Sequence, residues 1–90
     1  DAHPGLWRPA LRILPGDIHW VNPTREMKVG ESARFSVRIR YRQPLQGARL
    51  FIRREGAYLL FDEPQRGITP GQFAAWYDGD ELVGSGVIDA

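Results

Sequence analysis

A strict two-residue alternation between residues 32 and 43 constrains the fold more than any other feature of the chain. The apolar residues Ala33, Phe35, Val37, Ile39 and Tyr41 alternate there with serine and arginine residues. Since successive side chains of a β-strand point to opposite faces, this segment is predicted to be a strand with one buried face. A helix would leave no continuous apolar stripe, so the pattern excludes a helical alternative.

Clusters of proline, glycine, asparagine and aspartate divide the remaining sequence into short segments. Two of these clusters, Glu55-Gly56 and Asp78-Gly79, have the composition of tight β-hairpins. A third, Pro70-Gly71, has that of a type II turn, in which glycine takes the positive φ angle. The predicted strands are residues 10–14, 18–21, 32–43, 49–54, 57–61, 72–77 and 82–88.

This pattern predicts an all-β fold, because no segment has a clear helical period. A small antiparallel β-barrel of six to seven strands is favoured over a two-sheet sandwich, since closure removes exposed strand edges. Gly84 and Gly86 share one face of the last strand, as expected where a strand bends or another backbone approaches closely. No linker-like stretch divides residues 1–90, which are predicted to form one domain. Because the chain opens at Asp1 without an initiator Met, we expect that domain to be excised from a larger protein.

Composition argues against several classes of chemistry. The chain has no cysteine, which excludes disulfides and thiolate nucleophiles. His3 and His19 lack neighbours at metal-ligand spacing, and the carboxylate clusters at 62–63 and 78–81 lie in predicted turns. The longest apolar runs, residues 57–61 and 73–77, are far shorter than the roughly 20 residues that span a bilayer. We therefore predict no catalytic residue, no metal site, no cofactor in this domain and no membrane segment.

The charges are unevenly distributed, although the net charge is only +1. Eleven basic residues face four acidic ones up to Arg54, whereas Arg66 alone faces seven acidic residues from Glu55 onward. Four of the basic residues share the polar face of the predicted strand, on which positions two residues apart are separated by about 6.6–6.8 Å. This arginine row consists of Arg34, Arg38, Arg40 and Arg42.

Two interpretations of the arginine row remain open. Each guanidinium could form a charge-assisted fork to a phosphate of a nucleic-acid backbone. Alternatively, the row is an ordinary solvated face whose arginines pair across strands with acids such as Asp78, Asp80 or Glu81. The small net charge favours the second interpretation.

Aromatic residues could also provide stacking platforms for unpaired bases, although burial in the core is their more common role. Trp76 and Tyr77 are adjacent in a predicted strand and must point to opposite faces, so at most one of them is buried in the core. The full set of candidates is Trp7, Trp20, Tyr58, Trp76 and Tyr77.

Several segments, taken in order, resemble the C-terminal domain of the tRNA-specific 2-thiouridylases, the MnmA/TrmU type. They are Ile39-Arg40-Tyr41-Arg42-Gln43-Pro44, the long stretch from Phe61 to Gln72, and residues 76–80 and 84–88. His3-Pro4 with Leu6, and Ile18-His19-Trp20, are similar to the start of the same domain. The middle of the chain matches the family only as a hairpin of variable sequence, so no family role passes to Arg49, Arg53 or Arg54.

The resemblance implies a cytoplasmic parent enzyme that uses ATP to activate the wobble uridine of certain tRNAs and replaces its 2-oxygen with sulfur. In that family an N-terminal domain provides the Ser-Gly-Gly ATP loop and two catalytic cysteines, so no catalytic residue can be assigned in this chain. The C-terminal domain is similar to the domain-2 barrels of translation factors and is expected to help hold the tRNA. Partners implied in this way are tRNA, the N-terminal catalytic and central domains of the same chain, and a sulfur-carrier protein.

Two functional hypotheses follow. The leading one is an accessory tRNA-binding barrel whose RNA contacts come from Arg34, Arg38, Arg40 and Arg42. The alternative is a docking module that uses the Trp76/Tyr77 edge to contact the parent's other domains or a sulfur carrier, without touching RNA.

Overall fold

The computed structural model describes residues 7–40 and 42–90, in which six antiparallel strands close into a barrel. The spatial order is β1-β4-β3-β2-β5-β6, and β6 pairs back with β1. The predicted all-β barrel is therefore confirmed, and a sandwich is excluded. A single 3-10 turn, Pro23–Arg25, precedes β2. The strands are β1 Trp7–Trp20, β2 Ser32–Arg38, β3 Gln46–Arg53, β4 Gly56–Arg66, β5 Phe73–Asp78 and β6 Glu81–Ile88.

The first strand differs from prediction, because the expected strands 10–14 and 18–21 are one continuous strand of 14 residues. Its first half pairs with β4 as far as Ile13, and its second half pairs with β6 from Ile18 onward. The Pro15-Gly16 pair lies where β1 changes partner. Proline is tolerated at such a position because no ladder hydrogen bond is required from it.

The second strand ends at Arg38, five residues earlier than predicted. The side chain of Gln43 accepts a hydrogen bond from Ile39 N–H at 3.1 Å, and Gln43 N–H donates to Arg40 O at 3.1 Å. These local bonds replace the strand ladder and turn the chain away from the sheet. Tyr41, which belongs to the predicted alternation, lies outside the described residues.

The fourth strand is longer than predicted and continues to Arg66 through Asp62-Glu63 and Pro64, where the sequence predicts a turn. The register with β1 shifts here, from Ala10 opposite Leu60 to Arg8 opposite Gln65. This bulge takes up the extra residues of β4, and the irregular pairing accommodates a proline that donates no hydrogen bond.

The predicted turns form where their glycines lie. Gly71 has a φ of +93°, and Gln72 N–H donates to Thr69 O at 3.2 Å across the Pro70-Gly71 turn. Gly79 has a φ of +61° in the two-residue loop that joins Asp78 to Glu81. Since only glycine adopts such angles without strain, these positions connect the strands tightly.

The barrel interior is filled by side chains of all six strands, with Trp76 fully buried at 0% exposure. Trp20 packs edge-on against the Trp76 indole, with ring centroids 5.7 Å apart. A Cβ at Gly84 would lie 2.7 Å from Trp76 Nε1, and one at Gly86 would lie 2.7 Å from Ile13 Cγ2 and 2.9 Å from Asp17 O. These glycines therefore make room for core side chains, and Gly86 also for a neighbouring backbone.

No helix in the described part of the chain has the length and apolar character needed to cross a membrane.

Candidate nucleic-acid interface

Arg34, the first member of the arginine row, is engaged by a carboxylate on the outer face of the barrel. Its guanidinium donates two hydrogen bonds to Asp62, at 3.0 and 2.5 Å. Gly47 lies between them on the middle strand, and a Cβ there would collide with the Asp62 carboxylate. The hydrogen bonds from Arg34 lower the pKa of Asp62 below its ordinary value. Arg34 is thus paired across the strands, as the second interpretation expects, although the acid is Asp62 and not one of the three named.

Arg38 lies at the end of β2 and is held without a carboxylate. Its Nε donates to the backbone oxygen of Gln43 at 3.1 Å, and its guanidinium lies over the Tyr77 ring at 5.8 Å from the centroid. The cation-π contact and the hydrogen bond fix the side chain while leaving its terminal N–H groups available.

Arg40 follows β2 in a bend, so it does not continue the strand face. Its guanidinium donates to the backbone oxygen of Arg66 at the end of β4. Gly67, with a φ of +73°, gives this guanidinium its space, because a Cβ there would collide with Arg40 Nη2. The loop after β2 is thereby attached to the end of β4.

Arg42 is exposed in the turn that follows. The predicted row is thus divided: Arg34 is paired on the sheet, whereas Arg38, Arg40 and Arg42 lie at one end of the barrel because β2 stops at residue 38. Arg66 adjoins them, because its backbone oxygen accepts from Arg40, while its own guanidinium lies over the Trp7 ring. We call this group, Arg38, Arg40, Arg42 and Arg66, the basic end.

The side-chain amides of Gln43 and Gln65 connect the basic end to β4. Gln43 Nε2 donates to Gln65 Oε1 at 2.8 Å, and Gln65 Nε2 donates to Glu63 O at 2.9 Å. Gln65 is only 6% exposed, and its hydrogen bonds satisfy a polar group that would otherwise be costly to bury. This network joins the loop carrying Arg40 and Arg42 to the bulge of β4.

Elsewhere, two other arginines are paired with carboxylates. Arg12 donates to Asp89, and Arg25 bridges Asp78 at 2.9 Å and Glu81 at 2.8 Å. Two of the acids expected to neutralise the arginine row are therefore occupied by Arg25. Within residues 7–40 and 42–90, no member of the basic end forms an ion pair with a carboxylate.

An exposed aromatic ring borders the basic end. Phe73, the first residue of β5, is 66% exposed, and together with Arg38, Arg40 and Gln72 it lines an open groove of about 320 Å³. Phe73 is not among the sequence candidates. The alternation of β5 could have identified it, because burial of Trp76 and Ala74 requires Phe73 to point outward.

The aromatic candidates from the sequence have different environments. Trp76 is buried and Tyr77 lies under Arg38, which confirms that only one of the pair enters the core. The proposed docking edge is wrong to this extent, since Trp76 is not available at the surface. Trp20 packs against the core, Tyr58 is half-buried, and Trp7 is exposed with Arg66 over its ring.

The remaining candidates for chemistry are dispersed. His19 is exposed on β1, and His3 lies outside the described residues. In the portion of the chain that the structure describes, no three His, Asp or Glu side chains are grouped in a way that could hold a metal ion.

Comparison with known proteins identifies one matching family and several relatives that share one name. The model of the family described as the aminomethyltransferase beta-barrel domain matches residues 11–88. The chain is 54% identical over 86 residues, or 96% of its length, to the tRNA-specific 2-thiouridylase MnmA of Flavobacterium johnsoniae. It is 50% identical over 86 residues to the same enzyme of Christiangramia forsetii, and 44% identical over 89 residues to that of Pseudomonas aeruginosa PAO1.

The chain spans only 22% of the length of these relatives. The matches confirm the resemblance to the tRNA-specific 2-thiouridylases that the sequence segments carry. Because the family model covers β2 to β6 in full and most of β1, the chain belongs to the aminomethyltransferase beta-barrel domain family.

Proposed function

We propose that this barrel is an accessory domain that holds tRNA for a tRNA-uridine 2-sulfurtransferase acting on the wobble uridine. Its relatives are named as tRNA-specific 2-thiouridylases, and it covers about a fifth of their length. The ATP site and the catalytic residues then belong to the other parts of a longer cytoplasmic protein. The role of the barrel is to hold the tRNA in a fixed orientation, which lowers the entropic part of the reaction barrier.

The observation that carries this proposal is the set of guanidinium groups at the basic end that form no ion pair with a carboxylate among residues 7–40 and 42–90. Arg38 and Arg40 are held by backbone oxygens, so their orientation is fixed before any ligand arrives. Preorganised donors lose less conformational entropy on binding, and guanidinium groups match phosphate oxygens with two parallel hydrogen bonds. Arg34, by contrast, is occupied by Asp62 and is assigned no direct RNA contact here.

The experiment is titration of a labelled unmodified tRNA into the full 90-residue chain at low and moderate salt. The test variant replaces Arg38, Arg40 and Arg42 with alanine. The control variant replaces Arg49, Arg53 and Arg54, which removes the same number of charges from β3 and the adjoining hairpin. Circular dichroism checks that both variants keep the barrel.

The test variant is expected to bind tRNA more weakly, with the slope of log affinity against log salt reduced by about 1 for each phosphate that the protein no longer neutralises. The control variant is expected to keep most of the affinity and the slope. Equal losses in both variants would mean that only overall charge matters. Unchanged affinity in both would refute the RNA-binding role.

A second candidate function, docking against another domain of the longer protein, is favoured by a different surface. Leu60 points outward from the middle of β4 and is 47% exposed, and it lies opposite Ala10 on β1. Tyr58 and Arg12 line a shallow groove on the same side. Contact with another domain at this surface would remove the exposed apolar area of Leu60 from water, which is favourable.

Docking predicts that Leu60→Asp lowers thiolation activity of the longer protein without altering tRNA affinity of the 90-residue chain. Leu45→Asp is the control, since Leu45 is also exposed but lies in the loop before β3. Unchanged activity in the Leu60 variant would exclude this surface as an interface.

A further inference from the structure

We propose that the groove beside Phe73 binds one unpaired nucleotide, with the base stacked on the Phe73 ring and the adjoining phosphate between Arg38 and Arg40. This inference rests on the proposed RNA-binding role and specifies which form of RNA the barrel prefers. The occupant is a single-stranded or extruded nucleotide, not a segment of duplex.

The ring of Phe73 is the first part of the argument. It stands on the outer face of β5 with 66% of its surface exposed, more than any other large apolar residue in the described part of the chain. A large exposed ring does not contribute to the core, and a surface-exposed aromatic next to arginines is a typical platform for a base.

The two guanidinium groups that share the groove supply charge of the right sign. Arg38 and Arg40 line it with Phe73, and neither forms an ion pair within residues 7–40 and 42–90. Each uses one donor for a backbone oxygen and keeps its remaining N–H groups for a ligand. A nucleotide combines an apolar ring with an adjacent anionic phosphate, so it matches both features at once.

A polar group next to Phe73 can read the edge of a base. The side-chain oxygen of Gln72 accepts a hydrogen bond from Thr69 N–H at 3.1 Å, which fixes the orientation of the amide. Its Nε2 is left as a donor on a residue that lines the groove. A pyrimidine O2 or a purine carbonyl is a suitable acceptor, because these atoms lie on the edge that an unpaired base exposes.

Duplex RNA does not fit the same arrangement. Bases in an A-form helix stack on one another and present only their edges in the grooves, so a side-chain ring has no face to contact. A base in a loop or one that has been extruded offers a free face, and aromatic stacking is tolerant of which base it is. The groove therefore selects unpaired nucleotides, and the Gln72 donor adds a preference for bases that carry a carbonyl oxygen.

The test compares three RNA probes with the full 90-residue chain: a short oligouridylate, an oligomer of the same length with abasic riboses, and a blunt RNA duplex. Two substitutions are used at the same exposed position. Phe73→Leu keeps an apolar side chain without an aromatic face, and Phe73→Trp keeps the aromatic face. Because the position is exposed, the urea midpoint of both variants should equal that of the parent.

Phe73→Leu is expected to weaken oligouridylate binding about 5- to 150-fold, the range that removal of one base–aromatic stack implies. Phe73→Trp should bind as well as the parent or more tightly. Binding of the abasic oligomer and of the duplex should be the same for all three proteins.

Equal oligouridylate affinity of the Phe73→Leu variant and the parent would overturn the nucleotide site. If that result accompanied weaker tRNA binding in the Arg38, Arg40 and Arg42 variant, the proposed RNA-binding function would stand and only this inference would fail. If neither variant changed RNA binding, both would fail. A short oligoglutamate that competes with oligouridylate and depends on Phe73 to the same degree would overturn the inference in favour of an acidic peptide.

Discussion

Replacing Gly84 with alanine is expected to destabilise the barrel, because the new methyl group has no space. Its Cβ would lie 2.7 Å from Trp76 Nε1 and 2.8 Å from Trp76 Cε2 and Cζ2. The indole is fully buried and packs against Trp20, so it cannot move aside without disturbing the rest of the core. The expected result is a strained but closed barrel.

The magnitude follows from two opposing terms. Overpacking a well-filled core costs about 1–3 kcal/mol. The loss of glycine's conformational freedom in the unfolded chain offsets about 0.4–1 kcal/mol of this. The middle of each range gives a net destabilisation of about 1.3 kcal/mol, which lowers the melting temperature of a domain of this size by about 5–10 °C.

Thermal and urea unfolding followed by circular dichroism measures the effect, with Gly16→Ala as the matched control. A Cβ at Gly16 meets nothing within 4 Å, so this variant should be as stable as the parent or more stable by up to about 1 kcal/mol. Trp76→Phe in the Gly84→Ala background should recover part of the stability, giving a coupling energy of at least about 0.5 kcal/mol. Equal stability of the two alanine variants would refute the close contact between Gly84 and the indole.

Two further predictions concern the arginines. Hydrogen bonds from Arg34 lower the pKa of Asp62, so the pair stabilises the fold above the ordinary carboxyl pKa of about 4 and no longer does so once pH falls through the lower folded value. The difference in urea midpoint between the parent and Asp62→Asn should therefore be constant near neutral pH and disappear in acid; a difference that persists below both pKa values would contradict this. Gly67→Ala should cost about 1–2 kcal/mol, since its φ is +73°, and should displace the Arg40 guanidinium. Its tRNA affinity should fall to that of Arg40→Ala, as measured by anisotropy, and unchanged affinity would show that Arg40 does not need this position.

Local sequence signals are sufficient for the parts of the fold that depend on neighbours in the chain. The alternation around Phe35 and Val37 identifies β2, and Gly71 and Gly79 mark turns that the structure contains. These signals are short-range, because side-chain alternation and positive φ angles are properties of a few consecutive residues.

The errors arise where distant strands decide the backbone. Pro15-Gly16 and Pro64 are turn-forming residues, yet both lie within long strands because β1 and β4 shift register around them. The predicted end of β2 is wrong for a related reason, since the side chain of Gln43 captures Ile39 N–H before the strand can continue. Pairing with distant strands and capping by nearby side chains can each override the local residue pattern. The residue pattern alone does not show which of them decides the backbone conformation.

The candidate site is predicted in part. The sequence identifies arginines between residues 34 and 42, but it does not show that Asp62 binds Arg34 or that Arg66 approaches Arg40. Those contacts join residues that are 28 and 26 positions apart. The exposure of Phe73 could be predicted from the sequence. Side chains alternate along β5, so burial of Trp76 places Phe73 on the outer face.

The shared pairing of β1 has a consequence for how the molecule assembles. The strand nearest the start of the chain closes the seam on both sides, against β4 with one half and against β6 with the other. Since β6 ends at Ile88, the seam cannot be completed until the residues of β6 have been synthesised, about 70 positions after the end of β1. Contacts so distant in sequence slow folding. Until β6 is available, β5 and the second half of β1 are unpaired edges that could pair with strands of other molecules.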